Sequence, residues 1–146
     1  MSEVAAHDVA AVLGLRQGAH DKPLSVLSLI GHIEQGLPVT ALQSVSDSYA
    51  PDDKSFVFRV VPKATLERRK RAHRLTSPEG DLVARLARIW SVAVDVWKDK
   101  ADARAFLFRP HPLLDGRKPV DLVLGNELGA KLVEDILGRL KYGTAA

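Results

Sequence analysis

Seven apolar residues, Leu82, Leu86, Ile89, Trp90, Ala93, Val94 and Trp97, recur three and four positions apart. This is the longest regular stripe in the chain. Its spacing is that of one face of an α-helix. Ser77-Pro78-Glu79 opens the segment with an N-cap hydroxyl, a proline at the first helical position and an acid near the positive helix end. A helix is therefore predicted from about Ser77 to Lys98, with Trp90 and Trp97 on one side as core residues. A helix this long with one apolar face needs other helices to bury it. Aromatic residues make up only 5% of the chain, which argues against a large β-sandwich. The expected fold class is all-α. At 146 residues and 46% apolar, the chain suits one domain or two small helical units sharing a core.

The rest of the chain supplies partners for that helix. Residues 1–22 are expected to form a mobile tail. Ala5 to Leu15 could form a short helix, but Gly14, Gly18 and Pro23 interrupt the segment. Pro23 to Gln35 predicts a helix with proline in its first turn, Gly36 as its stop, and Leu24, Leu27, Leu29, Ile30 and Ile33 inward. A second helix is predicted from Pro38 to Tyr49, with Val39, Leu42 and Val45 inward. Ser55 to Val61 has the β-branched and aromatic content of a strand, but its place between helices favours a buried helix. Lys63 to Ala72 follows as a short helix held by Leu66, with Ala72 behind it. Ala101 to Phe108 is predicted as a further helix, closed by Arg109-Pro110.

The C-terminal third begins with a Pro/Gly-punctuated loop, Arg109 to Pro119, and a short apolar turn. An amphipathic helix is then capped by Asn126. Its predicted buried face is Leu128, Leu132, Val133, Ile136, Leu137 and Leu140, and Gly143 stands where a left-handed terminal residue is wanted. Two residues are not needed for that face. Gly138 lies on the polar side, where glycine is less favourable than alanine by about 1 kcal/mol. Tyr142 lies past the last apolar turn. A glycine on an outer face admits another backbone, and an aromatic at a helix tip is a common interface anchor.

Charge is unevenly placed. The chain carries +3 overall, yet residues 59–74 hold seven cations against Glu67 alone. One basic block on a mildly acidic body predicts an anionic partner docked at one place. Lys63, Thr65, Arg68, Arg69, Lys70 and Arg71 would form the outward face of a short basic helix. A recognition helix needs that arrangement: first turns toward base edges, cations on phosphates. The bland alternative is a solvated basic helix end, where positive charge is favourable in any case.

At Gly116, Arg117, Pro119, Gly129, Ala130, Val133, Leu137, Gly138, Arg139, Tyr142 and Gly143 the chain resembles the Xre/MbcA/ParS-type antitoxins, in their C-terminal toxin-binding domain. The likeness reaches back through Val61 to Arg69 and covers roughly residues 38–143. Phe106 stands where that family commonly has Trp, and Asp115 where it commonly has Gly. The resemblance implies a helix-turn-helix region over residues 23–75 and a toxin-binding helical domain over residues 76–146. It implies an antitoxin of the type II class that caps the active site of a RES-domain toxin, an NAD-consuming enzyme, and represses its own operon by binding operator DNA, as a homodimer. Arg117, Lys118, Gly138, Arg139, Tyr142 and Gly143 would lie at or support the toxin interface. The alternative is a helix-turn-helix regulator whose C-terminal domain only dimerises.

No enzyme signature is expected to hold. His7, His20, His32, His73 and His111 lack metal-ligand spacing, and there is no cysteine, nucleophile elbow or Gly-rich phosphate loop. No cofactor and no metal are predicted. No apolar run approaches the roughly 18 residues of a membrane span, and a cytoplasmic location is expected.

Overall fold

The computed structural model describes residues 3–15 and 24–143. Within them the protein is built from helices: α1 (Glu3–Val12), α2 (Val26–Gln35), α3 (Val39–Tyr49), α4 (Val57–Val60), α5 (Lys63–Ala72), α6 (Ser77–Trp97), α7 (Lys100–Phe108), α8 (Pro119–Gly125) and α9 (Glu127–Lys141), with a 3-10 turn at Pro112–Leu114. The chain divides into two compact units, Met1–Arg88 and Ile89–Ala146. The division falls inside α6, not at the 75/76 boundary expected from the sequence. The N-terminal half of α6 buries Val83, Leu86 and Ala87 in the first unit's core.

In the first unit, α1 packs on α2 and α3. This corrects the expected mobile tail for residues 3–15. Ala6, Val9, Ala10 and Leu13 are all buried at helical spacing, and the Ser44 hydroxyl donates to the Val12 carbonyl at 2.6 Å. The rest of the expected tail, with Pro23 as a first-turn proline, lies outside the described residues. Ser25 caps α2 by accepting from the Ser28 amide at 3.0 Å. Leu29 is buried, whereas Leu27 is 80% and Ile30 43% exposed. Two residues along a helix is about 200° of rotation, so burying Leu29 turns Leu27 outward. Tyr49 ties α3 to α6: its hydroxyl donates to the buried Leu86 carbonyl at 2.6 Å and its ring stacks on Phe56. The ambiguous segment 55–61 forms only one helical turn, α4, with Phe56, Val57, Val60 and Val61 buried.

The cap of α6 lies one residue earlier than predicted. Thr76, not Ser77, is the capping residue. Its hydroxyl accepts from the Glu79 amide at 3.3 Å, and the Glu79 carboxylate accepts from the Thr76 amide at 2.9 Å. This is a reciprocal capping box. A single antiparallel bridge joins Pro38 and Arg74.

In the second unit, the C-terminal half of α6 buries Ile89, Trp90 and Ala93. Trp97, expected in the core, is 38% exposed. Lys98 reverses the chain at a left-handed φ of 57°, and Asp99 caps α7 by accepting from the amides of Ala101 and Asp102. The expected short apolar turn is a true helix, α8, with Pro119 at its first position and Val120 and Val123 buried.

Helix α9 is capped by Asn126 as predicted, the amide of Gly129 donating to its side chain at 2.8 Å. Its buried face is different. Ala130, Val133, Ile136 and Leu137 are inside, while Leu128 is 80% and Leu132 45% exposed. The cause is the approach of α9 to α8. A Cβ on Gly129 would overlap the Leu122 backbone carbonyl, so α9 meets α8 edge-on at Gly129 and turns Leu128 and Leu132 away.

Candidate nucleic-acid helix and C-terminal interaction face

The tight connection between α4 and α5 is two residues long. Val61 is extended and Pro62 sets the entry into α5. Leu66 is the buried residue of α5. Lys63, Arg68, Lys70 and Arg71 are exposed, while Thr65 and Arg69 are half-buried on either flank of Leu66. Ala72, expected behind Leu66, is exposed. The helix ends at His73, a non-glycine residue in the left-handed region.

Arg69 has an intramolecular partner. Its Nε donates to Glu79 Oε1 at 2.7 Å, so the acid that caps α6 also braces α5. Burial pushes the Glu79 carboxyl up, but the hydrogen bonds from Arg69 and from the amide and hydroxyl of Thr76 outweigh it and hold the carboxyl below its ordinary value. The other basic residues are only loosely tied. Lys70 lies 3.5 Å from Glu67 on the exposed surface, a contact worth well under 1 kcal/mol. Arg68 reaches the Thr65 hydroxyl at 3.4 Å, and Lys63 sits over the Phe58 ring at 5.9 Å.

In the second unit the outer side of α9 carries Leu128, Leu132, Arg139 and Tyr142. Their offsets of four, seven and three residues place them on one stripe. Tyr142 is 78% exposed, which removes the reading of a partly buried terminal ring. Gly138 flanks the stripe with open space around it, and Gly143 ends the helix at φ 71°. Behind the stripe, Lys141 Nζ donates to Asp95 Oδ2 at 2.6 Å and Lys98 Nζ to Asp95 Oδ1 at 3.0 Å. The hydrogen bonds from Lys141 and then Lys98 hold the Asp95 carboxyl below its ordinary range. They fix the end of α9 against the end of α6.

Arg117 and Lys118 are exposed on a different element, the turn that leads into α8. That turn closes through the His111 amide donating to the Arg117 carbonyl at 3.1 Å and the Gly116 amide donating to the His111 carbonyl at 3.0 Å. His111 Nδ1 accepts from the Leu113 amide at 3.1 Å, a structural use for this loop histidine. The outward leucines are candidate site residues that sequence reasoning missed. Their signal was an apolar arc about 180° wide, broader than the ~100° stripe a helix buries against its core. Among the described residues no group of three or more His, Asp or Glu could hold a metal ion, and no helix is long and apolar enough to cross a membrane.

A tight helix pair with a basic second helix, followed by a helical unit that exposes an apolar stripe, defines a helix-turn-helix protein with an appended interaction domain. Residues 28–88 match the antitoxin Xre-like helix-turn-helix domain, and residues 92–143 match the antitoxin Xre/MbcA/ParS C-terminal toxin-binding domain. The antitoxin Xre of Yersinia enterocolitica is 34% identical over 120 residues, which cover 79% of this chain and 79% of that protein. The chain belongs to the Xre family of antitoxins.

Proposed function

We propose that this antitoxin neutralises a RES-domain, NAD-consuming toxin by occluding its active site with the outer side of α9. The observation that carries this reading is the exposure of Tyr142, Leu128 and Leu132 together on one stripe of α9, whereas the unit's other exposed large apolar residues, Trp97 and Leu113, lie on other elements. An aromatic with flanking leucines and an arginine is the composition of an interface centre. Arg139 supplies a forked donor for a toxin carboxylate, while Gly138 lets the toxin backbone come close. Gly143 lets the chain turn at the rim, and Arg117 and Lys118 add positive charge at the turn before α8. The antitoxin acts without turnover, in the cytoplasm.

The same chain binds operator DNA through α5 and so represses its own operon. Lys63, Thr65, Arg68, Lys70 and Arg71 face the duplex. Arg69 sets the pose of the helix through Glu79 and contributes less to phosphate contacts. Few phosphate contacts come from one short helix, so operator binding needs a homodimer.

The test is Tyr142→Ala together with Arg139→Glu. Both sites are exposed, so the fold is retained. The expected result is loss of toxin neutralisation with operator affinity kept within about threefold. Loss of dimerisation and operator binding, with neutralisation unchanged, would instead establish a regulator whose C-terminal domain only dimerises.

A further inference from the structure

A cleft of about 270 Å³ opens within the second unit. Trp97, Phe106, Pro110 and Leu140 line it, and Asp102, Arg109 and His111 stand at its polar positions. The aromatic wall is ordered. Trp97 and Phe106 lie 6.1 Å apart, and His111 meets Phe106 edge-on at 5.9 Å. The Leu113 amide donating to His111 Nδ1 fixes that imidazole. The exposed Lys141–Asp95–Lys98 cluster joins the ends of α9 and α6 beside Leu140 and Trp97. The cleft therefore exists before anything binds.

We propose that this cleft is a socket for the cognate toxin, and that its occupant is an apolar or aromatic side chain carried by an acidic segment of that protein. The proposal rests on the toxin-binding reading above and names a second point of contact. Three observations support it. First, the cleft lies wholly inside residues 92–143, the part that matches the toxin-binding domain. Second, its Leu140 wall adjoins Arg139 and Tyr142 in sequence at the end of the outward stripe, so one partner can cover both. Third, the lining offers an anion one cation, Arg109, against one carboxylate, Asp102. Arg109 is exposed where the cleft opens. Asp102, in the first turn of α7, disfavours a carboxylate at its own end and so directs an incoming acid toward Arg109. A tryptophan beside an arginine in a preformed hollow is the usual make-up of an interface hot spot.

The experiment uses the full chain and a purified cognate RES-domain toxin, with affinity measured by titration calorimetry. Trp97→Ala is expected to weaken toxin binding by about thirtyfold or more. Arg109→Glu is expected to weaken it about tenfold, with Arg109→Lys staying within about threefold of wild type. Arg109 is exposed, so the Arg109→Glu and Arg109→Lys pair decides the matter even if Trp97→Ala melts early. If wild type binds the toxin and Arg109→Glu binds as tightly, the socket is overturned while the toxin-binding reading stands. If wild type does not bind the toxin, both fall. If Trp97→Ala and Arg109→Glu lose self-association but keep toxin affinity, the occupant is a second copy of this chain and the proposal is overturned.

Discussion

Helices α5 and α9 both present a candidate interaction face, but they are held by opposite means. Helix α5 is anchored by one buried side chain, Leu66, and one ion pair, Arg69 to Glu79. Helix α9 buries Ala130, Val133, Ile136 and Leu137 and approaches α8 closely at Gly129. The first can be nearly all polar because it needs little from the core. The second leaves leucines in water because four other residues already hold it. A helix that reads a charged partner spends its surface on cations, and a helix that meets a protein partner spends it on apolar area. Single lesions should therefore act differently in the two. In α5 one truncation frees the helix, whereas in α9 truncation is tolerated and intrusion is not.

The largest expected effect tests the second half of that contrast. Gly129→Ala places a methyl group against the Leu122 backbone carbonyl. Backbone cannot yield as a flexible side chain does, so the cost should be about 3 kcal/mol. Thermal unfolding of the variant should show the second unit melting early, with operator binding kept. Next is Leu66→Ala. Removing the one buried anchor of α5 should cost about 2 kcal/mol of local stability. Operator affinity should fall steeply in a gel-shift titration while toxin binding is unchanged. Unchanged operator affinity would mean that Glu79 alone positions the helix.

The sequence made the helices legible where period and caps agreed. Asn126 and the stripe from Leu86 to Ala93 carried their own signals, whereas the Asp99 cap of α7 went unread. It was misleading where a helix is apolar over more of its surface than it can bury. Leu27 and Leu128 belong to helices whose rotation is decided by a neighbour, Leu29 packing in one case and the α8 carbonyl in the other, and no local pattern encodes that choice. Residues 5–15 looked too interrupted, by Gly14 and then Gly18 and Pro23, to stay packed. Yet alanines at 6 and 10 permit a close approach that side-chain size alone does not advertise. Within the candidate sites, the basic face of α5 was legible because charge is countable. The bond from Arg69 to Glu79 was not, because it joins two elements across a turn.

A smaller effect comes from that bond. Glu79 has its carboxyl held below the ordinary value near 4.5. A depressed folded value means that stability is present above the unfolded value and lost as pH falls through the folded one. The first unit should thus lose stability below about pH 4.5, and Glu79→Gln should remove that part of the acid sensitivity. At neutral pH the substitution should cost on the order of 1 kcal/mol, through the weakened cap and pair. Asp95, held down by Lys141 and Lys98, should give the second unit a parallel acid loss that Glu79→Gln leaves untouched. Following unfolding against pH with a probe in each unit separates the two.

The smallest expected effect isolates conformation from space. Asp115 sits at φ 53° and ψ 37° after the 3-10 turn, a left-handed position that aspartate tolerates better than most residues but glycine adopts freely. Asp115→Gly relieves that strain but gives the unfolded chain more freedom, so the net gain should stay under about 1 kcal/mol. The neighbouring Gly116, at φ 79° with nothing near its Cβ direction, makes the converse test: Gly116→Ala should cost about 1 kcal/mol from backbone strain alone. Gly129 has no left-handed strain but no room, whereas Gly116 has room but a left-handed backbone. If Gly116→Ala proved as damaging as Gly129→Ala, then the turn before α8, and not the α8–α9 contact, would be what holds the second unit's candidate interaction face in place.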